Sequence, residues 1–149
     1  MRAVLQRVSR ASVAVEGSQI GSINQGLVVL LGIHRRDTPR EVDWLVDKIL
    51  NLRIFPDQEG KMNRSLTELR AEMLIVSQFT LYGDCRKGRR PGYSEAAPPN
   101  VAEPLYKQFV DKVETFGVKT ATGRFQALME VSLINDGPVT ILLDSDKSF

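Results

Sequence analysis

The chain has 149 residues, of which 42% are hydrophobic and 26% are charged, a composition typical of a folded domain and not of a disordered chain. Its 20 Lys and Arg residues against 18 Asp and Glu leave a formal net charge of +2, which is too balanced for a protein that coats nucleic acid. One cysteine, Cys85, and one histidine, His34, exclude an intrachain disulfide, a cysteine-cluster zinc site and any metal site that needs two imidazoles.

The sequence shows no pattern of a membrane anchor, a signal peptide or a linker between domains. The longest apolar run, Leu27 to Ile33, is far shorter than the roughly 20 residues of a membrane-spanning helix. The N-terminus lacks the apolar block and small-residue cleavage site of a signal peptide. We therefore expect a single soluble, cytoplasmic domain over residues 1–149, without a cofactor and with neither a membrane nor DNA as a partner.

The first half of the chain predicts β-strands followed by one helix. Apolar and polar residues alternate on either side of a break near Arg10, as in half-buried strands. Thr38-Pro39-Arg40-Glu41 has the pattern of a capped helix start, and apolar residues follow at helical spacing. The predicted elements are strands over residues 4–8 and 12–15, a hairpin over 12–24, a buried central strand over 27–33 and a helix from Pro39 to Leu50.

The second half predicts three strands, one helix and a long loop. The elements are a strand over residues 72–81, an irregular loop over 82–100, a helix over about 103–116, and strands over about 126–134 and 139–144. Pro104 suggests the helix start because proline suits a first helical position. The expected fold class is α/β: a layered domain with two packed, barrel-like β-sheets and two main helices on one side.

The sequence offers few residues for nucleophilic chemistry. A Ser-His-Asp triad would need His34, which lies beside Arg35 and Arg36 and is expected to be a solvated loop histidine. Nearby cations would lower the pKa of Cys85, but the sequence around it offers no base to activate it as a nucleophile. We therefore expect Cys85 to be a surface thiol. The sequence contains no phosphate-binding glycine loop and no metalloprotease motif.

Polar residues crowd the end of one apolar strand, at Ser77-Gln78-Phe79-Thr80. Buried polar groups must be hydrogen-bonded or face a cavity. The segment is either a strand terminus satisfied by its own loop or a small pocket of hydroxyls, an amide and backbone N–H groups. Such a pocket suits an acyl carbonyl or a ribose. The residues alone leave both alternatives open.

The long loop carries four cations: Arg86, Lys87, Arg89 and Arg90. They form either a solvated surface segment or a phosphate clamp, which the nearby Tyr82 and Tyr93 make plausible. Asn135-Asp136-Gly137-Pro138 has, on its residues alone, the pattern of a β-turn between two strands.

Three segments together carry a resemblance to a known family. They are Met1–Val8, Ser77–Asp84 running into Gly88–Pro91, and Asn135–Thr140. In this order and at this spacing they resemble the bacterial D-aminoacyl-tRNA deacylases, and the likeness covers essentially the whole chain. The resemblance implies hydrolysis of the ester that joins a D-amino acid to the 3′ end of tRNA. It also implies a layered α/β homodimer with its sites at the dimer interface and the aminoacyl-tRNA acceptor end as partner.

The resemblance also assigns roles to residues of this sequence. The implied catalytic residues are Ser77, Gln78, Phe79 and Thr80, lining the pocket for the terminal adenosine and the aminoacyl group. Gly137 and Pro138 are implied to form a Gly-cis-Pro element that enters the partner subunit's pocket and selects chirality. Phe125 and Met129 are implied adenine contacts. The four loop cations then contact tRNA phosphates, and no metal is expected.

The expected mechanism follows from what the segment Ser77–Leu81 lacks. It contains no histidine, lysine or carboxylate, and a threonine nucleophile needs an activating base. We therefore expect the terminal ribose 2′-hydroxyl of the tRNA to help activate water, with Thr80 as a protein nucleophile as the alternative. A rigid Gly-Pro wall would exclude L side chains and admit glycine, so glycyl-tRNA, including glycine mischarged on tRNA-Ala, is also an expected substrate.

Two other classes of protein fit the residues without the resemblance. One is a non-catalytic RNA-binding module that uses the basic loop and its aromatic residues. The other is an unrelated small-molecule hydrolase or binding protein with a pocket at the end of the Ser77-Gln78 strand.

Overall fold

The computed structural model describes residues 1–148. The strands are β1 (Arg2–Val15), β2 (Ser18–Ile23), β3 (Gly26–Gly32), β4 (Phe55–Pro56), β5 (Met62–Arg64), β6 (Glu72–Ser77), β7 (Thr120–Thr122) and β8 (Glu130–Asp144). The helices are α1 (Pro39–Asn51), α2 (Leu66–Leu69) and α3 (Pro99–Thr115), and a short 3-10 turn spans Phe79–Tyr82. No helix within residues 1–148 is long and apolar enough to cross a membrane.

β1 organises the main sheet because it pairs along both of its edges. One edge pairs first with β3 and then with β2, while β8 runs antiparallel along the other edge. β1 continues through Arg10, so the predicted break at that residue is wrong. The irregularity lies instead in the pairing with β8, whose register shifts on both sides of Val8. Such a shift bends a strand without ending it.

The C-terminal segment forms one long strand, β8, and not the two strands that the sequence predicts. Gln6 and Val8 of β1 face Thr140 and Asn135, so the residues between Asn135 and Thr140 bulge out of the ladder. The Asn135 side-chain oxygen accepts a hydrogen bond from the Val139 N–H at 2.8 Å. This bond closes the bulge, and pairing with β1 keeps both halves in a single strand.

The main sheet curls until it is nearly closed. β3, β6 and β7 are parallel neighbours, and β2 lies at the opposite edge from β7. A Cβ built on Gly21 of β2 would lie 3.0 Å from the carbonyl oxygen of Thr122 in β7, so the two edges meet. β4 and β5 form a second, small sheet. The predicted α/β class with barrel-like sheets is confirmed.

The two main helices, α1 and α3, pack against each other and on one face of the main sheet. Thr38 and Glu41 form the predicted capping box at the start of α1. α3 begins at Pro99, so the predicted start near residue 103 is wrong. Pro99 takes the first helical position, where no N–H is needed, and Pro104 lies inside the helix.

Two apolar cores fill the two faces of the main sheet. The larger core lies under the helices and includes the fully buried Phe55 and Phe109. The smaller core lies within the curl and includes Val13, Val28 and Leu74. Each large apolar side chain that is fully buried contributes about 1.5–3 kcal/mol. The central strands β3 and β6 contribute side chains to both cores. Packing on both faces therefore holds these two strands, and their ends, in place.

Candidate active site

The polar segment leaves the sheet immediately after Ser77. This residue ends β6 and pairs with Leu31 of β3, and the Gln78 N–H donates to the Leu31 carbonyl oxygen at 2.8 Å. The chain then forms the 3-10 turn over Phe79–Tyr82, hereafter the 79–82 turn. The predicted continuation of the strand to Leu81 is therefore wrong. The turn is held at the carboxyl end of a buried parallel strand.

The 79–82 turn presents backbone N–H groups at its start. Its hydrogen bonds join residues three positions apart, as where the Leu81 N–H donates to the Gln78 carbonyl oxygen at 3.3 Å. The N–H groups of Phe79 and Thr80 precede these bonds, so the turn itself contains no acceptor for them. Gln78 makes no side-chain capping bond to them. Two adjacent donors of this kind can bind a developing oxyanion.

The Thr80 side chain is exposed and is contacted by Gln78. The Gln78 side-chain amide nitrogen donates a hydrogen bond to the Thr80 hydroxyl oxygen. An amide N–H is a donor and cannot take up a proton. The Thr80 hydroxyl thus has a partner that fixes its position without activating it as a nucleophile.

A cleft of about 570 Å³ opens beside the turn and brings together residues that are distant in the sequence. Its lining includes the predicted pocket residues Ser77, Gln78 and Phe79 and the predicted adenine contacts Phe125 and Met129. Thr80 does not line the cleft. Apolar residues from β6, α3 and β8 form much of the remaining surface. The cleft therefore combines polar groups on one side with an apolar surface large enough for a nucleobase.

The side of the cleft that carries Phe125 and Met129, the predicted adenine side, is held by aromatic packing. The ring centroids of Phe125 and Tyr106 are 6.0 Å apart, and the Tyr106 hydroxyl donates to the Ile75 carbonyl oxygen at 2.8 Å. Burial raises the pKa of Tyr106 well above its ordinary value, so the hydroxyl remains a donor. A Cβ at position 123 would collide with the Met129 sulfur, so Gly123 lets Met129 approach closely.

Another wall of the cleft comes from residues 93–97, hereafter the strap. Tyr93, Ala96 and Ala97 line the cleft, and the Ala97 N–H donates to the Ile33 carbonyl oxygen at 2.9 Å. Tyr93 also packs edge-on against Phe79, with ring centroids 5.1 Å apart. Ala96 and Ala97 carry no polar group that a sequence pattern could detect, and the aromatic Tyr93 beside the cations is the one residue of this segment that the sequence singles out.

His34 is buried, so its predicted place as a solvated loop histidine is wrong. The residue is 5% exposed, and its Nε2 lies 2.9 Å from a carboxylate oxygen of Glu95 in the strap. Its Nδ1 accepts a hydrogen bond from the Arg36 N–H at 3.1 Å. The ring also packs on Tyr82, with centroids 5.2 Å apart. Contacts from three segments thus remove the imidazole from solvent.

Gly137 and Pro138 lie on the surface of the chain and do not line its cleft. The peptide bond between them is cis. The buried Arg7 holds the adjoining residue: its Nε donates to the Asp136 carbonyl oxygen at 3.0 Å, and its Nη1 donates to the Ile54 carbonyl oxygen at 2.7 Å. The two exposed residues are therefore carried on a firmly anchored bulge.

The four loop cations are exposed, as is Cys85, but they are not equivalent. Arg86 donates to both carboxylate oxygens of Asp84, at 2.9 and 2.8 Å. These hydrogen bonds hold the pKa of Asp84 well below its ordinary value. A shallow groove is lined by Asp84, Arg86, Lys87, Arg90, Gly92 and Ser94. The charge of Arg86 is thus partly neutralised within the loop.

Within residues 1–148 no group of three or more His, Cys, Asp or Glu side chains could hold a metal ion. The fold and the cleft define a small α/β protein with a pocket in which polar groups face an apolar surface.

Comparison with known proteins identifies the family. The family model described as D-Tyr-tRNA(Tyr) deacylase matches residues 4–144. A D-aminoacyl-tRNA deacylase of Thermosipho africanus is 58% identical over 149 residues, covering 100% of both chains. The chain belongs to the D-Tyr-tRNA(Tyr) deacylase family, whose members are hydrolases, and the family resemblance inferred from the sequence is confirmed.

Two solved structures are similar to the chain over nearly its whole length. The c-Myc DNA Unwinding Element Binding Protein has a TM-score of 0.91 and 44% identity, covering 97% of this chain and 98% of the other. A probable eukaryotic D-amino acid tRNA deacylase has a TM-score of 0.83 and 21% identity, covering 95% of this chain and 97% of the other. The second likeness supports the fold.

Proposed function

We propose that this protein hydrolyses the ester bond of D-aminoacyl-tRNA, releasing free tRNA and the D-amino acid. The observation that carries the proposal is the cleft of about 570 Å³, which lies beside the start of the 79–82 turn and has an apolar surface that includes Phe125 and Met129. Membership of the deacylase family supports the same substrate. The basic side chains needed for acceptor-end phosphates lie in the loop that follows the turn.

The terminal adenosine lies between the turn and the adenine side of the cleft. Phe125 and Met129 contact the base, and the ester carbonyl lies at the N–H groups of Phe79 and Thr80. Ser77 and Gln78 contact the ribose and the aminoacyl group. One well-placed oxyanion donor contributes about 3–4 kcal/mol to transition-state stabilisation. Two such donors suffice for an ester, which is easier to hydrolyse than an amide.

The 2′-hydroxyl of the terminal ribose helps to activate the attacking water. The 79–82 turn contains no titratable group other than the buried Tyr82, and burial raises the pKa of Tyr82 far above its ordinary value. Tyr82 therefore does not act as a base. A nucleophilic Thr80 would need a group that accepts its proton, whereas Gln78 donates to it. This contact favours the substrate hydroxyl over Thr80.

Gly137 and Pro138 of a second copy form the wall that sorts enantiomers. Both residues are exposed in the single chain and lie outside its own cleft, which is why we assign them to the cleft of a partner subunit in a homodimer. Main-chain carbonyls there would occupy the space that an L side chain requires. Rejection by exclusion is insensitive to the identity of a D side chain. Glycine has no side chain and passes the same wall.

The basic loop binds phosphates of the tRNA acceptor end in the cytoplasm. Lys87, Arg89 and Arg90 are exposed, and phosphate contacts of this kind weaken as salt rises. A domain of this size contacts the end of a tRNA and not its whole surface. The protein therefore discriminates little between tRNA sequences, and glycyl-tRNA-Ala is among its substrates.

Ester loss from two matched pairs of substrates tests the proposal. D-tyrosyl-tRNA and L-tyrosyl-tRNA share one tRNA, and glycyl-tRNA-Ala is compared with L-alanyl-tRNA-Ala. We expect hydrolysis of the D-tyrosyl and glycyl esters and almost none of the two L-esters. Binding without turnover would instead indicate an RNA-binding module, and equal loss of D- and L-esters would reject the wall. Sedimentation at twice the chain mass is the expected result for the homodimer.

A further inference from the structure

We propose that His34 and Glu95 are positioning residues that hold the two walls of the cleft at a fixed separation. The inference rests on the hydrolysis proposed above, and neither residue needs to touch the substrate. One wall is the 79–82 turn and the other is the strap. His34 lies behind both and contacts each of them.

The hydrogen bonds of His34 define its tautomer. Nδ1 accepts from the Arg36 N–H at 3.1 Å, so it carries no proton in the neutral ring. Nε2 then carries the proton and donates it to Glu95 at 2.9 Å. Both ring nitrogens are thus used, and an apolar side chain of the same size would leave the Arg36 N–H without its acceptor.

Glu95 fixes the strap to the end of β3 through both main chain and side chain. Its carbonyl oxygen accepts from the Arg35 N–H at 3.1 Å, and its carboxylate lies 3.0 Å from the Arg35 guanidinium. The hydrogen bond from His34 and the charges of nearby arginines lower the pKa of Glu95. The carboxylate therefore stays ionised and paired while the neighbouring Ala96 and Ala97 line the cleft.

The other side of the His34 ring supports the 79–82 turn through Tyr82. The Tyr82 ring lies between His34 and Arg2, whose guanidinium carbon is 4.7 Å from the ring centroid. Arg2 also donates to the Leu81 carbonyl oxygen at 3.1 Å. The Tyr82 hydroxyl is buried and has no hydrogen-bond partner within residues 1–148. Packing by its neighbours, and not a hydrogen bond of its own, therefore places Tyr82.

The two walls also meet directly, through the Phe79–Tyr93 contact at 5.1 Å. This contact is at the surface, since Phe79 is 55% and Tyr93 is 40% exposed. In the His34–Glu95 pair the His34 side chain is only 6% exposed and the Glu95 side chain is 43% exposed, so the contact is shielded from water on its histidine side. Loss of the pair is expected to loosen the strap, and with it Tyr93, while the turn and its N–H donors stay in place.

Three variants test the inference. Glu95→Ala removes the acceptor, Glu95→Gln keeps an oxygen for the Nε2–H, and Glu103→Ala is the matched control. The Glu103 side chain is 41% exposed against 43% for Glu95, and it pairs with Lys107 on α3 at 2.8 Å. We expect Glu95→Ala to raise KM for D-tyrosyl-tRNA about tenfold, with kcat changed less than about threefold. Glu95→Gln should restore KM to within about threefold of the parent value.

A second readout does not depend on activity. Hydrogen exchange at the Ala97 amide, which is bonded to Ile33, should be faster in Glu95→Ala than in the parent chain and unchanged in Glu103→Ala. Unchanged exchange, or equal KM values for Glu95→Ala and Glu103→Ala, would overturn the inference. If the parent chain fails to hydrolyse D-esters, the proposed function is rejected instead. The exchange measurement does not depend on activity and therefore still tests this inference.

Discussion

Gln78 donates a hydrogen bond from its side-chain amide nitrogen to the hydroxyl oxygen of Thr80. The direction of this bond bears on the chemistry of the site, because a hydroxyl nucleophile needs a neighbour that accepts its proton. Gln78 orients the hydroxyl and leaves its proton available for a bound substrate. This contact favours the proposed positioning role of Thr80 over a nucleophilic one.

Thr80→Val removes the hydroxyl while keeping the side-chain shape. If Thr80 only orients the substrate, the single-turnover rate on D-tyrosyl-tRNA should fall by less than about 100-fold. Thr115→Val is a control, since that hydroxyl donates to the Lys112 carbonyl oxygen on α3. A fall of more than about 10⁴-fold, with the fold intact, would support Thr80 as the nucleophile.

Gly137→Ala tests the importance of the anchored bulge. Gly137 has φ +127°, and an added Cβ would lie 2.6 Å from the Arg7 guanidinium. We expect a shift of the main chain that lowers kcat/KM on D-esters about 100-fold or more. Gly60→Ala is the matched control, since Gly60 has φ +78° with nothing within 4 Å of the added Cβ. Equal activity of the two variants would contradict the role of the bulge.

Replacing Arg89 and Arg90 together by alanine should lower the affinity for tRNA and make that affinity less sensitive to salt. Each phosphate contact contributes about 0.7–0.9 to the slope of log K against log salt, so the slope should fall by about 1–2. Arg86→Ala should lower it less, because Asp84 already pairs with that guanidinium. The loss should be the same for different tRNAs. A slope equal to that of Lys61→Ala, a variant in the connection between β4 and β5, would show that the basic loop is not part of the binding surface.

Asp144 should make the stability of the fold depend on pH. Burial alone would raise its pKa, but hydrogen bonds from Ser148, the Asp146 N–H and Arg2 lower it overall. A lowered folded-state pKa means that the stabilisation is complete above the unfolded pKa of about 3.9 and is lost as pH falls through the folded value.

Asp144→Asn should therefore lower the free energy of unfolding by about 1–2 kcal/mol at pH 7. The difference from the parent chain should shrink as pH falls below the unfolded value of about 3.9 and through the lower folded value. Denaturant unfolding at pH 7 and at lower pH measures both effects, with Asp111→Asn, an exposed change on α3, as the control. A difference that does not change with pH would show that the charge of Asp144 contributes nothing.

Features determined by neighbouring residues could be predicted from the sequence. The capping box of Thr38 and Glu41 uses atoms three residues apart, and the buried run of β3 is continuous in the chain. The residues of the β8 bulge have the composition of a turn, so the sequence predicts two strands, one on either side of it. Its pairing with β1 over more than 130 residues of sequence overrides that local preference. The curl of the main sheet likewise depends on contacts between residues that are far apart in the sequence.

In the candidate site, too, the residues that are close in sequence were predictable and those brought together by the fold were not. Ser77 to Thr80 are consecutive, so their polar pattern was visible, whereas Phe125 and Met129 entered through the family resemblance alone. His34 was misplaced because its partner Glu95 is 61 residues away and its sequence neighbours are exposed arginines. The strap's alanines carry no chemical signal, and their place in the cleft depends on how the chain returns to β3.

The role of the substrate's own hydroxyl is tested most directly with a tRNA that ends in 2′-deoxyadenosine. D-tyrosine is attached at the 3′-hydroxyl, and the single-turnover rate is divided by the uncatalysed rate of the same ester. We predict that this enhancement falls at least about 100-fold relative to the ribose substrate, while competitive binding of the two tRNAs stays equal. An enhancement preserved to within about threefold would contradict hydrolysis assisted by the nucleotide.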